Sequence, residues 1–285
     1  MLEKLGECRN LPKAKKNPWK IVWDVIGKSD VILEVVDARF PSKCRSFSIE
    51  KKILTDPKKS LIIVLNKSDL IPREIGEKWV KYFLKQGIPA ALVSAQDRLG
   101  TSKLRKLIMR YAPKKEAGND IIVGVVGLPN TGKSSLINIF KGRSSAPTAP
   151  VPGFTKAMQL LRIGARLLIY DTPGVIPSAI PFIDQLQLGI IRPERLDDPV
   201  KAALILANIL EKIRPGCIEE YCGLPFEGNE EFFEKLALKR HRLRKGGEPD
   251  IDTISRQFIM DHIKGRIKVY EEPPQLENKK GVNNN

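Results

Sequence analysis

The order in which a few short motifs follow one another restricts the folds open to this chain more than any other property. The octapeptide GLPNTGKS (127–134) has an apolar, β-branched run directly before it, IIVGVV (121–126), and a helical stretch, SLINIFK, directly after it. That is the strand, loop and helix of a phosphate-binding loop. Its glycines let backbone N–H groups close around phosphates, and the helix N-terminus adds partial positive charge. Lys133 is placed to reach the outer phosphates and Ser134 to ligate magnesium. Ahead of this loop stand NKSD (66–69), after the apolar run LIIVL (61–65), and SAQ (94–96), after the shorter run 88–93. Behind it come Thr155 in PGFT and then DTPG (171–174), which follows RLLIY.

A phosphate loop alone leaves ATP and GTP undecided, and NKSD decides for guanine. Asp69 can accept two hydrogen bonds from the ring N–H and the exocyclic amine of guanine, which adenine cannot supply. Asn66 can tether the phosphate loop, Lys67 can lie across the base, and the Ala95 N–H can face the guanine oxygen. Ser68, Ser94, Gln96, Thr131, Gly132 and Ser135 complete the expected nucleotide-contacting set. Asp171, at a strand end, can hold magnesium through water, and the Gly174 N–H can sense the γ-phosphate. Thr155, between those motifs, is the expected second magnesium ligand, against the plainer alternative of a turn threonine. Loss of the γ-phosphate removes a contact from both segments. A GTP-binding domain ordinarily runs phosphate loop, threonine, DxxG, NKxD, SAx. Here the last two stand in front, so the chain reads as a circular permutation of that domain.

The transition-state contacts are expected from Lys133, Asn130, Thr155 and Gly174. In many GTPases the residue after DxxG is a glutamine that orients the attacking water. Here it is Val175, followed by Ile176, neither of which can hydrogen-bond water. Intrinsic hydrolysis should therefore be slow and depend on something supplied from outside. Asn130 sits where a side-chain oxygen can coordinate potassium beside the phosphates, in the manner of an arginine finger. It can equally brace the loop.

The apolar runs 31–36, 61–65 and 121–126 read as buried parallel strands separated by helical segments, hence right-handed βαβ units. MQLLRI and RLLIY, around Gly164 and Ala165, read as a hairpin. The polar segment PKKEAGND (113–120) is the join that replaces the original termini. The expected fold is α/β: a mostly parallel six-stranded sheet in a nucleotide-binding domain over 1–178. A small all-α domain follows over 179–272, and 273–285 form a disordered tail. In the helical part Asp198 and Pro199 can start KAALILANILEKI. Asn229 can cap a helix running through NEEFFEKLALKRHRLRK, and Asp252 can cap TISRQFIMDHIKG.

Lys and Arg number 49 against 33 Asp and Glu, a net charge of +16, which points to a polyanionic partner, nucleic acid ahead of membrane surface. Lys239, Arg240, Arg242, Arg244 and Lys245 are expected within a couple of helical turns, a candidate face for phosphates of structured RNA. Lys13, Lys15, Lys16 and Lys20 form a second patch. His241 and His262 read as packing or surface residues. With no apolar run able to span a bilayer and no secretory signal in MLEKLGECRN, a cytoplasmic, monomeric protein without membrane contact is expected. Cys8, Cys44, Cys217 and Cys222 lack CxxC pairing, so reduced thiols are the default.

On the motif order, on VDARFP (36–41) ahead of NKSD, on PNTGKSS, PGFTK and DTPGV, and on the late KGGEPD (245–250), the chain resembles the circularly permuted ribosome-assembly GTPases of the YlqF and YawG type. The resemblance covers nearly the whole chain. It implies GTP and GDP binding with magnesium, a potassium-stimulated activity through Asn130, and association with the large ribosomal subunit, its precursor or rRNA. A GTPase acting on another RNA such as tRNA, and an RNA-binding scaffold that nucleotide merely stabilises, remain the alternatives.

Overall fold

The computed structural model describes residues 18–114, 116, 119–141, 159–171 and 180–275. Six strands form one sheet: β1 (Val31–Asp37), β2 (Ser60–Asn66), β3 (Ala90–Leu92), β4 (Ile121–Val126), β5 (Gln159–Ile163) and β6 (Leu167–Asp171), in the spatial order β3-β2-β1-β4-β6-β5. All neighbouring pairs are parallel except the β5–β6 hairpin. The fold class is the expected one. From β1 the order steps outward through β2 to β3, and from β4 it steps the other way to β6. The two directions part between β1 and β4, the topological switch point where open α/β sheets bind ligands at the carboxyl ends of the strands.

The strands are apolar throughout because both faces are covered. Ile32, Val36, Ile63 and Leu65 point into one core and Val31, Leu33, Val35, Ile62 and Val64 into the other, the alternation that a period of two demands. On the second face lie α5 (Thr101–Tyr111) and α6 (Lys133–Lys141), through Leu104, Ile108, Leu136 and Ile137. On the first lie α1 (Pro18–Lys28), the short α2 (Pro41–Cys44), α3 (Phe47–Leu54) and α4 (Arg73–Lys85). In α4 Ile75, Trp79 and Phe83 recur every four residues and are buried, one stripe of the helix.

After residue 180 the chain is helical: α7 (Phe182–Gln187), α8 (Pro199–Ile213), α9 (Cys217–Cys222), α10 (Glu231–Lys239) and α11 (Ile251–Ile263). Asp198 caps α8 by accepting from the Lys201 N–H at 2.9 Å, with Pro199 in the first turn. The α8 face Ala202, Ala203, Leu206, Ala207, Leu210 packs on α11 through Ile254, Phe258 and Ile259. These residues belong to the same continuous apolar core as the first sheet face. The chain then returns over residues 267–272. The Glu271 N–H donates to the Arg39 carbonyl at 2.9 Å, and Trp79 Nε1 donates to the Glu271 carbonyl at 3.0 Å.

Two helix boundaries differ from expectation. α11 is capped by Asp250, whose carboxylate accepts from the Thr253 N–H at 3.2 Å, and Asp252 lies inside the first turn. α10 stops at Lys239. His241 takes a positive φ of 52° and the Arg242 N–H reaches back to the Ala237 carbonyl at 2.8 Å, the geometry of a helix end. The chain then folds into a tight turn, in which the Arg244 N–H meets the Glu248 carbonyl and Leu243 bridges Pro249. Lys239, Arg240, Arg242, Arg244 and Lys245 are therefore not presented on one helical face. Asn229 still contributes at the start of α10, accepting from the Phe232 N–H at 3.3 Å.

Candidate functional site

At the carboxyl edge of the sheet, the loops after β2, β3 and β4 converge on a cleft of roughly 640 Å³. Asn66, Lys67, Asp69 and Leu70 line one side, Ala95 and Gln96 a second, Gly132 and Ser135 a third. A single buried side chain holds the three loops together. Asn66 Nδ2 donates to the Thr131 carbonyl at 2.7 Å, and Asn66 Oδ1 accepts from the Ala95 N–H at 3.1 Å. The expected tether to the phosphate loop is present in the structure. The Ala95 N–H is engaged by Asn66, so a guanine oxygen approaching it would share that donor.

The loop after β4 is shaped to pass close to Asn66. Gly132 has a φ of 89°, and a Cβ there would lie 2.1 Å from Asn66 Nδ2, so only glycine fits. Thr131 Oγ1 donates to the Leu128 carbonyl at 2.9 Å, and Lys133 Nζ donates to the same carbonyl at 2.6 Å, which folds the ammonium over the loop from within. Ser134 and Ser135 are exposed in the first turn of α6. Asn130, at a φ of 61°, donates its amide N–H to the Gly189 carbonyl just after α7. The phosphate loop is thereby fastened to the helical part.

Lys67 has a second partner besides any base. Its ammonium lies 2.8 Å from Asp37 Oδ2, and Asp37 also takes a two-pronged bond from Arg39, Nε at 3.1 Å and Nη2 at 2.8 Å. Burial pushes the Asp37 carboxyl up, but the adjacent Arg39 and Lys67 charges outweigh it and hold the group well below the usual carboxylate range. Arg39 Nη1 continues to the His262 carbonyl at 2.7 Å on α11. The His262 ring is fully buried against the Gln187 carbonyl. Burial, then the Arg39 charge, lower its pKa to about 3. His262 is a packing residue, as its sequence context suggested. VDARFP is thus the hinge of an ionic network joining the NKSD loop to the helices.

Ser94 is buried and bonded to Asp97, with Oγ 3.1 Å from both the Asp97 carboxylate and its N–H, and the Ser68 N–H meets the Val93 carbonyl at 3.1 Å. The Asp171 backbone ends β6 as expected. Thr155, Gly174, Val175, Ile176, Lys13, Lys15 and Lys16 and the Asp171 side chain lie outside the described residues, as do 276–285. Of the proposed basic face, Arg240 is turned inward, with Nη1 2.8 Å from the Tyr221 hydroxyl and 3.4 Å from Asp261. Lys239 donates to the Gly223 carbonyl and Arg244 pairs with Asp250. Arg242 and Lys245 are exposed. Cys44, Cys217 and Cys222 are free thiols, and burial pushes those of Cys44 and Cys217 up to about 12.

The fourth side of the cleft was missed by motif reading. It is made by Ile263, Lys264 and Arg266 at the end of α11. The available sequence signal was the glycine between two cations, a helix stop that admits close approach.

A family model described as 50S ribosome-binding GTPase matches residues 122–218. Nucleolar GTP-binding protein 2 of Neurospora crassa is 35% identical over 268 residues, 92% of this chain and 43% of its own length. An uncharacterized GTP-binding protein of Methanocaldococcus jannaschii is 39% identical over 254 residues, 88% of this chain and 66% of its own. The chain thus spans only about half the length of the nucleolar relatives it matches. Two solved structures of YlqF from T. maritima, one GNP-bound and one GDP-bound, each superpose with a TM-score of 0.66 at 27% identity. They cover 90% of this chain and 98% and 100% of theirs.

Proposed function

This chain belongs to the circularly permuted P-loop GTPases of the YlqF type, and from that premise we propose that it hydrolyses GTP to GDP and phosphate as a switch in assembly of the large ribosomal subunit. The observation that carries the nucleotide part is the Asn66 amide, which draws NKSD, the phosphate loop and SAQ around one cleft. Asp69 reads the two N–H groups of guanine. Backbone N–H groups from Gly132 to Ser135 and the Lys133 ammonium, released from the Leu128 carbonyl, receive the phosphates. Thr155 and the Gly174 N–H meet the γ-phosphate. No side chain directly after DTPG can orient the attacking water, so the reaction rests on positioning and charge and is slow without a partner.

The exposed Ser134 hydroxyl at the start of α6 fits a magnesium ligand, with Thr155 and Asp171 as its proposed companions. When bound there, magnesium would offset the charge of the outer phosphates, and potassium at the Asn130 oxygen would add to that offset. The Asn130 amide nitrogen is already committed to Gly189, which leaves the oxygen as its cation-facing group.

The family description and the nucleolar names of relatives support a precursor of the large subunit, or its rRNA, as partner, and the net charge of +16 suits that polyanion. The exposed Arg242 and Lys245 are the members of the basic run best placed to meet phosphates. Among the described residues no helix is long and apolar enough to cross a membrane. We place the protein with the maturing subunit, in the cytoplasm or, as the relatives' names suggest, the nucleolus. We divide it into a nucleotide domain over 1–178 and a helical domain over 179–272. The segment that feels the γ-phosphate runs directly into the latter.

The test is GTP turnover in potassium and in sodium, each with and without large subunits. Turnover should rise with subunits and potassium. Lys133→Ala should abolish it, and Asp69→Asn should weaken GTP binding at least about tenfold, because the exposed Asp69 carboxylate would no longer accept from both guanine N–H groups. Negligible rates in all four conditions would leave a nucleotide-stabilised scaffold. Stimulation by tRNA but not by subunits would favour the other RNA.

A further inference from the structure

The end of α11 completes the base side of the cleft, and we propose that Arg266 is a purine-stacking residue through which the helical domain senses whether any guanine nucleotide is bound. Arg266 lines the same cleft as Asp69 and Gln96, and Gly265 before it closes on Leu70, the residue after Asp69. Its Nη1 is fixed at 2.6 Å by Asp261 Oδ1, while the side chain stays 58% exposed against 4% for Asp261. A guanidinium held by one edge keeps its planar face free. Such a face stacks on an aromatic ring, and purines are its natural partners.

The anchor is itself rigid. Asp261 Oδ2 accepts from the Tyr221 hydroxyl and lies 3.4 Å from Arg240 Nη1, so α9, α10 and α11 all meet at the residue that aims Arg266. The approach of this wall to the NKSD loop depends on Gly265. It has a φ of 74°, and a Cβ there would lie 2.5 Å from a methyl carbon of Leu70, the residue after Asp69. A larger residue there would force the Leu70 side chain aside, and the positive φ favours glycine. Lys264 beside it has no ion-pair partner among the described residues and is exposed.

Because this contact is to the base, it is blind to the γ-phosphate. It separates loaded from empty protein, whereas the segment after DTPG separates GTP from GDP. The inference rests on the guanine-nucleotide reading of the cleft, and the experiment tells the two apart. Calorimetric titration of unlabelled GDP and GTP is carried out on the wild-type chain and on Arg266→Ala, Arg266→Lys and Asp69→Asn. Arg266 is exposed, so its variants should fold. Arg266→Ala should weaken GDP and GTP by the same factor, about three- to thirty-fold. Arg266→Lys should recover little of it, since a point charge lacks the planar face. Unchanged affinity in Arg266→Ala, with Asp69→Asn still weakened, overturns the stacking role and leaves the guanine site intact. A loss confined to GTP, or full rescue by lysine, also overturns it, because either result marks a phosphate contact. Failure of the wild-type chain to bind either nucleotide overturns both readings together.

Discussion

Asn66 answers two loops with one amide, and both of its bonds are buried. Asn66→Ala leaves the Thr131 carbonyl and the Ala95 N–H without partners, a loss of about 2 kcal/mol of unfolding free energy. Urea unfolding should show that loss, and titration of the variant should show GTP affinity falling by about tenfold or more, because the phosphate loop and SAQ are no longer in register. Unchanged affinity at reduced stability would confine the residue to a structural role. Asn66 was legible in the sequence because its motif prescribes its partner. The pairing of Lys67 with Asp37 was not, since nothing local says that a lysine expected over a base will also close a buried carboxylate thirty residues earlier in the chain. Asn130 shows the same limit: its loop position suggested a cation or a brace, and its bond to Gly189 comes from the turn after α7, brought against it in space.

Among the elements, strands were the more legible. A continuous run of β-branched residues needs cover on both faces whatever the rest of the chain does, and β1, β2 and β4 lie where such runs lie. Helix ends were less so, because a cap competes with its neighbours. Asp250, two residues ahead of the Asp252 expected to cap α11, takes the Thr253 N–H, and the basic run after Lys239 leaves the helix at His241 for a glycine turn. α11 carries an acid-sensitive element in His262. Its folded pKa is depressed from 6.5 to about 3, so the unfolded chain binds a proton that the folded one refuses across that interval. Stability from this residue is therefore complete above about pH 6.5 and is lost as the pH falls through that window. Between pH 7 and pH 5 the wild type should lose about 2 kcal/mol that His262→Gln does not lose. Parallel urea midpoints for the two proteins at pH 7, 6 and 5 would disprove the assignment. Comparing the two chains at each pH removes the contribution of the carboxylates.

At the scale of the whole molecule, Arg39 decides whether the two proposed domains behave as two. It is 1% exposed and pairs with Asp37 through both carboxylate oxygens. It also donates to the α11 carbonyl of His262, and its own carbonyl receives the Glu271 N–H of the returning chain. The apolar core around it runs without a break from Val36 and Phe40 to Phe258 and Ile259. A shared core with a buried ionic pin in the middle should unfold as one unit. Far-UV circular dichroism and tryptophan fluorescence, to which the buried Trp79 contributes, should therefore follow a single urea transition. Arg39→Ala leaves Asp37 with Lys67 as its remaining cation and strips the His262 carbonyl, at a cost of about 3 to 5 kcal/mol. Because the pin holds the α11 wall of the cleft as well as the NKSD loop, the same variant should bind GDP and GTP more weakly by one common factor. Two separate transitions in the wild type would show that the halves fold independently. Nucleotide affinity untouched in a destabilised Arg39→Ala would show that the pin supports the fold without reaching the cleft.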